Sequence, residues 1–154
     1  MMEKTIQKWH QYLQGTYEPG LDDLLHDDCV FLSPIVFSPQ RGKELTKLYL
    51  TAAGATLGDP AAPTTPTTEK SAEDPDSKNI KFHYIKEVVA GNVAVLEFEQ
   101  TLDGKYVNGV DILTCDDEGK IIEFKVMIRP LQAVNLIHQK MGAMLKKMEA
   151  AKTS

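Results

Sequence analysis

The sequence predicts an α+β domain in which helices cover one face of a curved, mostly antiparallel sheet. Two patterns and one bound predict it. Apolar residues recur at helical spacing near both ends, as Ile6, Trp9 and Leu13 and later as Leu131, Val134, Ile137, Met141 and Leu145. Between Ile80 and Arg129, four strand-length runs are separated by Gly91-Asn92, Asp103-Gly104 and Asp116 to Gly119, all of which carry turn chemistry. The chain of 154 residues, 42% apolar and 25% charged, is long enough for one domain with a sizeable core.

The first helix is expected from Glu3 to about Tyr17, with Tyr12 beside its apolar stripe and Gly15 and Pro19-Gly20 at its end. A short second helix follows from Leu21 to Leu25, with Asp22 and Asp23 in the first turn, where the helix dipole favours them. Cys29 to Ser33 reads as a strand stopped by Pro34, since proline supplies no ladder donor. Gln40-Arg41-Gly42 then turns the chain into a third helix, Lys43 to about Thr56. Residues 58–78 are rich in proline, threonine and charge, bury almost nothing large, and read as a mobile insertion loop within the single domain 1–154.

The four later strands are Ile80 to Val89, Val93 to Leu102, Lys105 to Cys115 and Lys120 to Arg129, with a final helix opened by Pro130. Tight turns fix their register. A two-residue turn at Gly91-Asn92 pairs Ile85 with Phe98 and His83 with Gln100. Another at Asp103-Gly104 pairs Phe98 with Gly109 and Leu96 with Asp111. A four-residue turn at Asp116 to Gly119 pairs Asp111 with Phe124 and Gly109 with Val126. One face then collects His83, Ile85, Leu96, Phe98, Gln100, Val107, Gly109, Asp111, Leu113, Phe124, Val126 and Ile128. The other collects Tyr84, Lys86, Glu97, Glu99, Asn108, Lys125 and Arg129 beside Val95, Val110, Ile112 and Met127. The first face needs a cover, which the helix of Trp9 and Tyr12 supplies, and a curved sheet under helices encloses a pocket. The mixed face suits water or a second subunit, with Lys86 opposite Glu97 as a favourable pair.

Composition narrows the function classes. A net charge of −5 without a Lys/Arg run argues against nucleic acid and anionic membranes as partners. The N-terminal residues lack the apolar stretch of a signal peptide, and no segment has the roughly 18 apolar residues of a membrane span. Cys29 and Cys115, far apart in sequence, read as reduced thiols of a cytoplasmic protein, Cys115 being an inert buried one. The four histidines lack metal-ligand spacing, and glycine-rich phosphate loops and nucleophile elbows are absent, so neither metal nor cofactor is expected.

Asp111 is the residue out of place: a carboxylate in line with apolar neighbours near the middle of a sheet. Burial raises its pKa, because desolvation disfavours the charged form. It either acts as an acid on a ligand carbonyl or organises the cavity through a hydrogen bond to a nearby ring. His83 is the candidate base, or a rim histidine bonded to Gln100 or Asp111.

The order helix–helix–strand–helix followed by a four-stranded meander resembles the nuclear transport factor 2-like superfamily, in its SnoaL-like branch of polyketide cyclases and ketosteroid isomerase relatives. Gly109 to Phe124, Phe98 to Gly104 and Val126 to Pro130 carry the resemblance. It implies a cone-shaped α+β barrel, with three N-terminal helices on a curved mixed or antiparallel sheet and a C-terminal helix. It also implies a pocket lined by Trp9, Tyr12, Phe31, Ser33, Phe98, Gln100, Gly109, Phe124, Val126 and Ile128.

Ketosteroid isomerases of this fold use an Asp base with a Tyr and a protonated Asp as oxyanion hole. Asp111 matches the protonated Asp, whereas Trp9 stands at the Tyr and Ser33 at the base. Serine beside Pro34 has no base of its own and an indole shuttles no proton, so a steroid-type isomerase is not expected. Three functions stay open: binding of a small, mostly apolar molecule; an enzyme of cyclase, isomerase, hydrolase or dehydratase type with Asp111 as acid and His83 or water as base; and a ligand-free interaction domain dimerising through the outer sheet face.

Overall fold

Twelve N-terminal residues, Met2–Leu13, form α1 because Met2, Thr5, Ile6 and Trp9 fall on one buried face. The computed structural model describes residues 2–57 and 80–153; the insertion expected over 58–78 lies outside them. Gly15, at a φ of +75°, ends α1, with Gly15 N–H donating to Tyr12 O at 3.0 Å and Thr16 N–H to Gln11 O at 2.9 Å. There follow α2 (Gly20–Leu24), β1 (Leu25–Leu32), β2 (Gln40–Arg41), α3 (Lys43–Leu57), β3 (His83–Ala90), β4 (Val93–Leu102), β5 (Lys105–Cys115), β6 (Ile121–Arg129) and α4 (Leu131–Thr153). Gln40-Arg41, expected as a turn, pairs instead with Val30 and Phe31 as a short edge strand.

The strands make one mixed sheet in the order β2-β1-β6-β5-β4-β3. β1 runs parallel to β6, and every other pairing is antiparallel. The sheet does not close on itself, so the expected barrel is an open cone with β2 and β3 as its edges. Leu24, Leu25, Leu96, Leu113, Ile121 and Phe124 fill the core between the sheet and α1, α2 and α3. Phe98, Val107, Ala133 and Ile137 form a second cluster under α4. A hydrogen bond from Thr5 Oγ1 to Gly119 O (2.7 Å) ties α1 to the β5–β6 turn. Both cysteines are buried and free. No helix of the described residues is long and apolar enough to cross a membrane.

Register departs from expectation at two places. Between β4 and β5 every expected pair is found, Leu96 with Asp111 and Phe98 with Gly109 included. Between β5 and β6 the pairing is displaced by two residues, Asp111 facing Val126 and Gly109 facing Ile128. One residue comes from a longer turn, closed by Asp116 N–H on Lys120 O at 2.8 Å, and one from an irregularity beside Thr114 and Cys115. A shift of two leaves each side chain on its expected face. On β3 the shift is one. Lys86 pairs with Glu97 as expected, but a bulge at Ile85 then sets Tyr84 opposite Phe98 and His83 opposite Glu99. Tyr84 thereby enters the inner face, and His83 leaves it.

Gly109 sits where nothing larger fits. An added Cβ would lie 2.5 Å from Met127 O and 2.5 Å from Phe98 Cζ. The ring can give way, but the carbonyl is held in the ladder. Gly109→Ala is therefore expected to lower stability by about 1–3 kcal/mol through overpacking. Urea unfolding checks this, and an unchanged midpoint would contradict the close approach.

Candidate functional site

The inner face of the sheet and the helices α1, α3 and α4 enclose a cavity of about 470 Å³. Trp9 and Tyr12 enter from α1, Phe31 and Ser33 from the end of β1, and Phe98, Asp111, Phe124, Val126 and Ile128 from the sheet. These are expected site residues, and the fold brings them together. Of the others, Gln100 and Gly109 are buried beside the cavity without lining it. His83 is a correction. The Ile85 bulge turns it to the outer face, where Nε2 lies 3.3 Å from Glu99 Oε1 and Nδ1 2.8 Å from Lys81 O.

Several lining residues were not anticipated. Tyr84 and Phe82 come from β3 and its lead-in. Tyr49 and Gly54 come from α3, and Ile137, His138, Met141 and Leu145 from α4. The α4 stripe was legible as a helical face, but its partner was not. All aromatic residues except Tyr17, Phe37 and Tyr106 border the cavity. Trp9 stacks on Tyr12 (5.4 Å between centroids) and meets Phe124 edge-on (5.1 Å), while Phe82 packs on Phe98 (4.9 Å). Such edge and offset contacts hold the wall in one arrangement.

A line of hydrogen bonds ends on the carboxyl. The Trp9 indole N–H donates to Tyr84 Oη at 2.9 Å, and the Tyr84 hydroxyl donates to Asp111 Oδ2 at 2.6 Å. Asp111 is 6% exposed. Burial pushes its pKa up to about 7, opposed by the Tyr84 hydrogen bond. Burial and the neighbouring Asp111 charge hold the Tyr84 phenol well above its ordinary value, so it stays a donor.

Asp111 is thus poised to give or take a proton near neutral pH, the range in which a general acid or base works best. Ser33 is otherwise engaged: its Oγ accepts the amides of Ile35 (3.0 Å) and Val36 (3.2 Å), holding the rim loop in a turn. His138 borders the cavity from α4 with its side chain open to solvent. Among the described residues no three His, Cys, Asp or Glu side chains gather into a group that could hold a metal ion.

The direction of the Asp111 shift makes stability depend on pH. Its folded value lies above the ordinary 3.8, so the neutral form is the one the fold accommodates. The contribution is complete below the unfolded value and is lost as pH rises through about 7. Asp111→Asn keeps the shape and removes the ionisation. The variant should gain on the parent by about 3 kcal/mol between about pH 5 and about pH 8. Urea unfolding across that range reads the gap, and a constant difference would contradict the buried neutral carboxyl.

No protein-family model matches the sequence, and no curated protein does. Solved structures do match. A steroid delta-isomerase from Pseudomonas aeruginosa superposes with a TM-score of 0.72 over 97% of this chain and 94% of its own, at 24% identity. A nuclear transport factor 2-like protein of unknown function from Mesorhizobium loti gives 0.60 over 84% and 91%, at 16% identity. A SnoaL-like family protein from Agrobacterium tumefaciens gives 0.54 over 82% and 96%, at 11% identity. With four helices on an open six-stranded mixed sheet among the described residues, the chain has the nuclear transport factor 2-like fold.

Proposed function

We propose that the protein binds a small, mostly apolar molecule whose carbonyl or hydroxyl group is held by Asp111. One observation carries this: a buried carboxyl that keeps its proton up to about pH 7 stands in an aromatic-walled cavity of about 470 Å³, whose lining among the described residues contains no lysine or arginine. That volume falls within the roughly 300–1,000 Å³ of small-molecule sites. A neutral carboxyl donates to a carbonyl oxygen and, without a cation nearby, disfavours an anionic ligand. The two unpaired thiols fit a reducing, cytoplasmic setting.

Turnover is the second reading, favoured by the Asp111 pKa of about 7. It would belong to the isomerase or cyclase type, with Asp111 as acid and water or His138 as base, since His83 faces the other side of the sheet. The steroid delta-isomerase neighbour shares the scaffold, whereas Trp9 and Ser33 here supply no second carboxyl. Both readings are tested by titrating Trp9 fluorescence with 2-acetylnaphthalene and with naphthalene. The ketone should bind about tenfold tighter, and Asp111→Leu should erase that preference. Equal affinity in the parent would end the proposal. If an identified ligand is also converted, Asp111→Asn retains binding and loses turnover.

The outer sheet face would serve a second copy of the chain. Val88, Val95 and Ile112 pair across three strands, and Val110 pairs with Met127; Val88 and Met127 are 52% and 51% exposed. An apolar patch across an open sheet can meet its own copy about a two-fold axis. Sedimentation should show a dimer in the parent and a monomer in Val110→Lys. A monomeric parent at micromolar concentration would dismiss the interface.

A further inference from the structure

We propose that Glu99, on the side of the sheet away from the cavity, is the positioning residue that aims Tyr84 at Asp111. The regular register from the Gly91-Asn92 turn would set Ile85 against Phe98 and His83 against Gln100, with Tyr84 pointing outward. The observed strand departs from it at Ile85 alone, and in doing so leaves that apolar side chain 38% exposed. Burying Ile85 favours the regular register, so something must hold the bulged one.

On the inner side, the bulge gives Tyr84 its bonds to Trp9 and Asp111. On the outer side, it sets His83 directly opposite Glu99. The Glu99 side chain is 5% exposed, and a carboxylate so enclosed needs partners. Tyr106 donates to its Oε2 at 2.9 Å, and His83 Nε2 stands 3.3 Å from Oε1. The His83 contact exists only in the bulged register, because in the regular one His83 would point to the cavity. Ahead of the strand, the lead-in is tied to the same neighbour, Thr101 N–H donating to Ile80 O at 2.8 Å and Ile80 N–H to Thr101 Oγ1 at 3.2 Å.

The outer anchor holds Tyr84 in place whether or not Asp111 turns toward a ligand. The anchor therefore does not depend on what the cavity binds. An edge strand, with one free side, is where such a one-residue slip costs least, and two adjacent side chains exchange faces when it occurs.

The chain's one tryptophan donates to Tyr84, so its indole N–H resonance reports where the phenol is. Tyr84→Phe supplies the reference signal for an indole without its acceptor. Glu99→Leu should move the resonance toward that reference and speed its hydrogen exchange by about tenfold or more. His83→Val should do the same, and serves as the test if Glu99→Leu does not fold. Deleting Ile85 removes the bulge and leaves Tyr84 opposite Phe98 by plain alternation. Added to either variant, that deletion should restore the parent signal, which a general loss of stability would not allow. An unmoved indole signal in a folded variant overturns the proposal, as does a moved signal that the deletion fails to restore.

Discussion

A carboxyl enclosed by aromatic rings must find partners or give up its charge, and Asp111 does some of each. Tyr84 supplies one hydrogen bond, Trp9 supports Tyr84, and burial still lifts the acid to about 7. The line from α1 through the edge strand to the middle of the sheet gives three separate elements one shared polar contact. Around it the walls are rings in edge and offset contact, which leave a hollow rather than filling it. Among the described residues Asp111 is consequently the one buried carboxyl on the cavity wall.

The sheet decides which side chains take part, through parity. A displacement of two residues between β5 and β6 changes every partner and no face, so Asp111, Phe124 and Val126 remain inside. A displacement of one on β3 changes both, exchanging a histidine for a tyrosine next to the carboxyl. The exchange alters the chemistry on offer. A phenol held far above its ordinary pKa donates a hydrogen bond and keeps its proton, whereas an imidazole would have offered a base. Beside the carboxyl there is a donor, and the only histidine bordering the cavity is on α4.

The fold is shared with a steroid delta-isomerase. Trp9 brings an indole donor, and Ser33 is occupied in shaping the rim. One scaffold carries many chemistries because the inward positions can be refilled without disturbing the ladder beneath them. Gly109 shows the opposite constraint, since its missing side chain is what lets the Phe98 ring come so close to the β5 backbone.

Alternation and helical spacing, read from the sequence alone, determined the element order apart from the short strand Gln40–Arg41, both middle strands to the residue, the pairing of Leu96 with Asp111, and the inward direction of that acid. These are local properties, set by turn residues that admit few conformations and by apolar side chains that recur with the period of one structure or the other. Trp9, Tyr12, Phe31, Ser33, Phe98, Phe124, Val126 and Ile128 were legible as lining for the same reason, with the family resemblance supplying the helix above and the end of β1. Tyr84 was not, nor was the displacement of His83, because a bulge at an edge strand has no turn signature. It arises where Trp9, Asp111 and Glu99, distant in sequence, each require a partner at once. The α4 wall likewise depended on where a helix at the far end of the chain comes to rest. Tertiary structure decided both, since a buried polar group is satisfied only by whatever the whole fold carries to it.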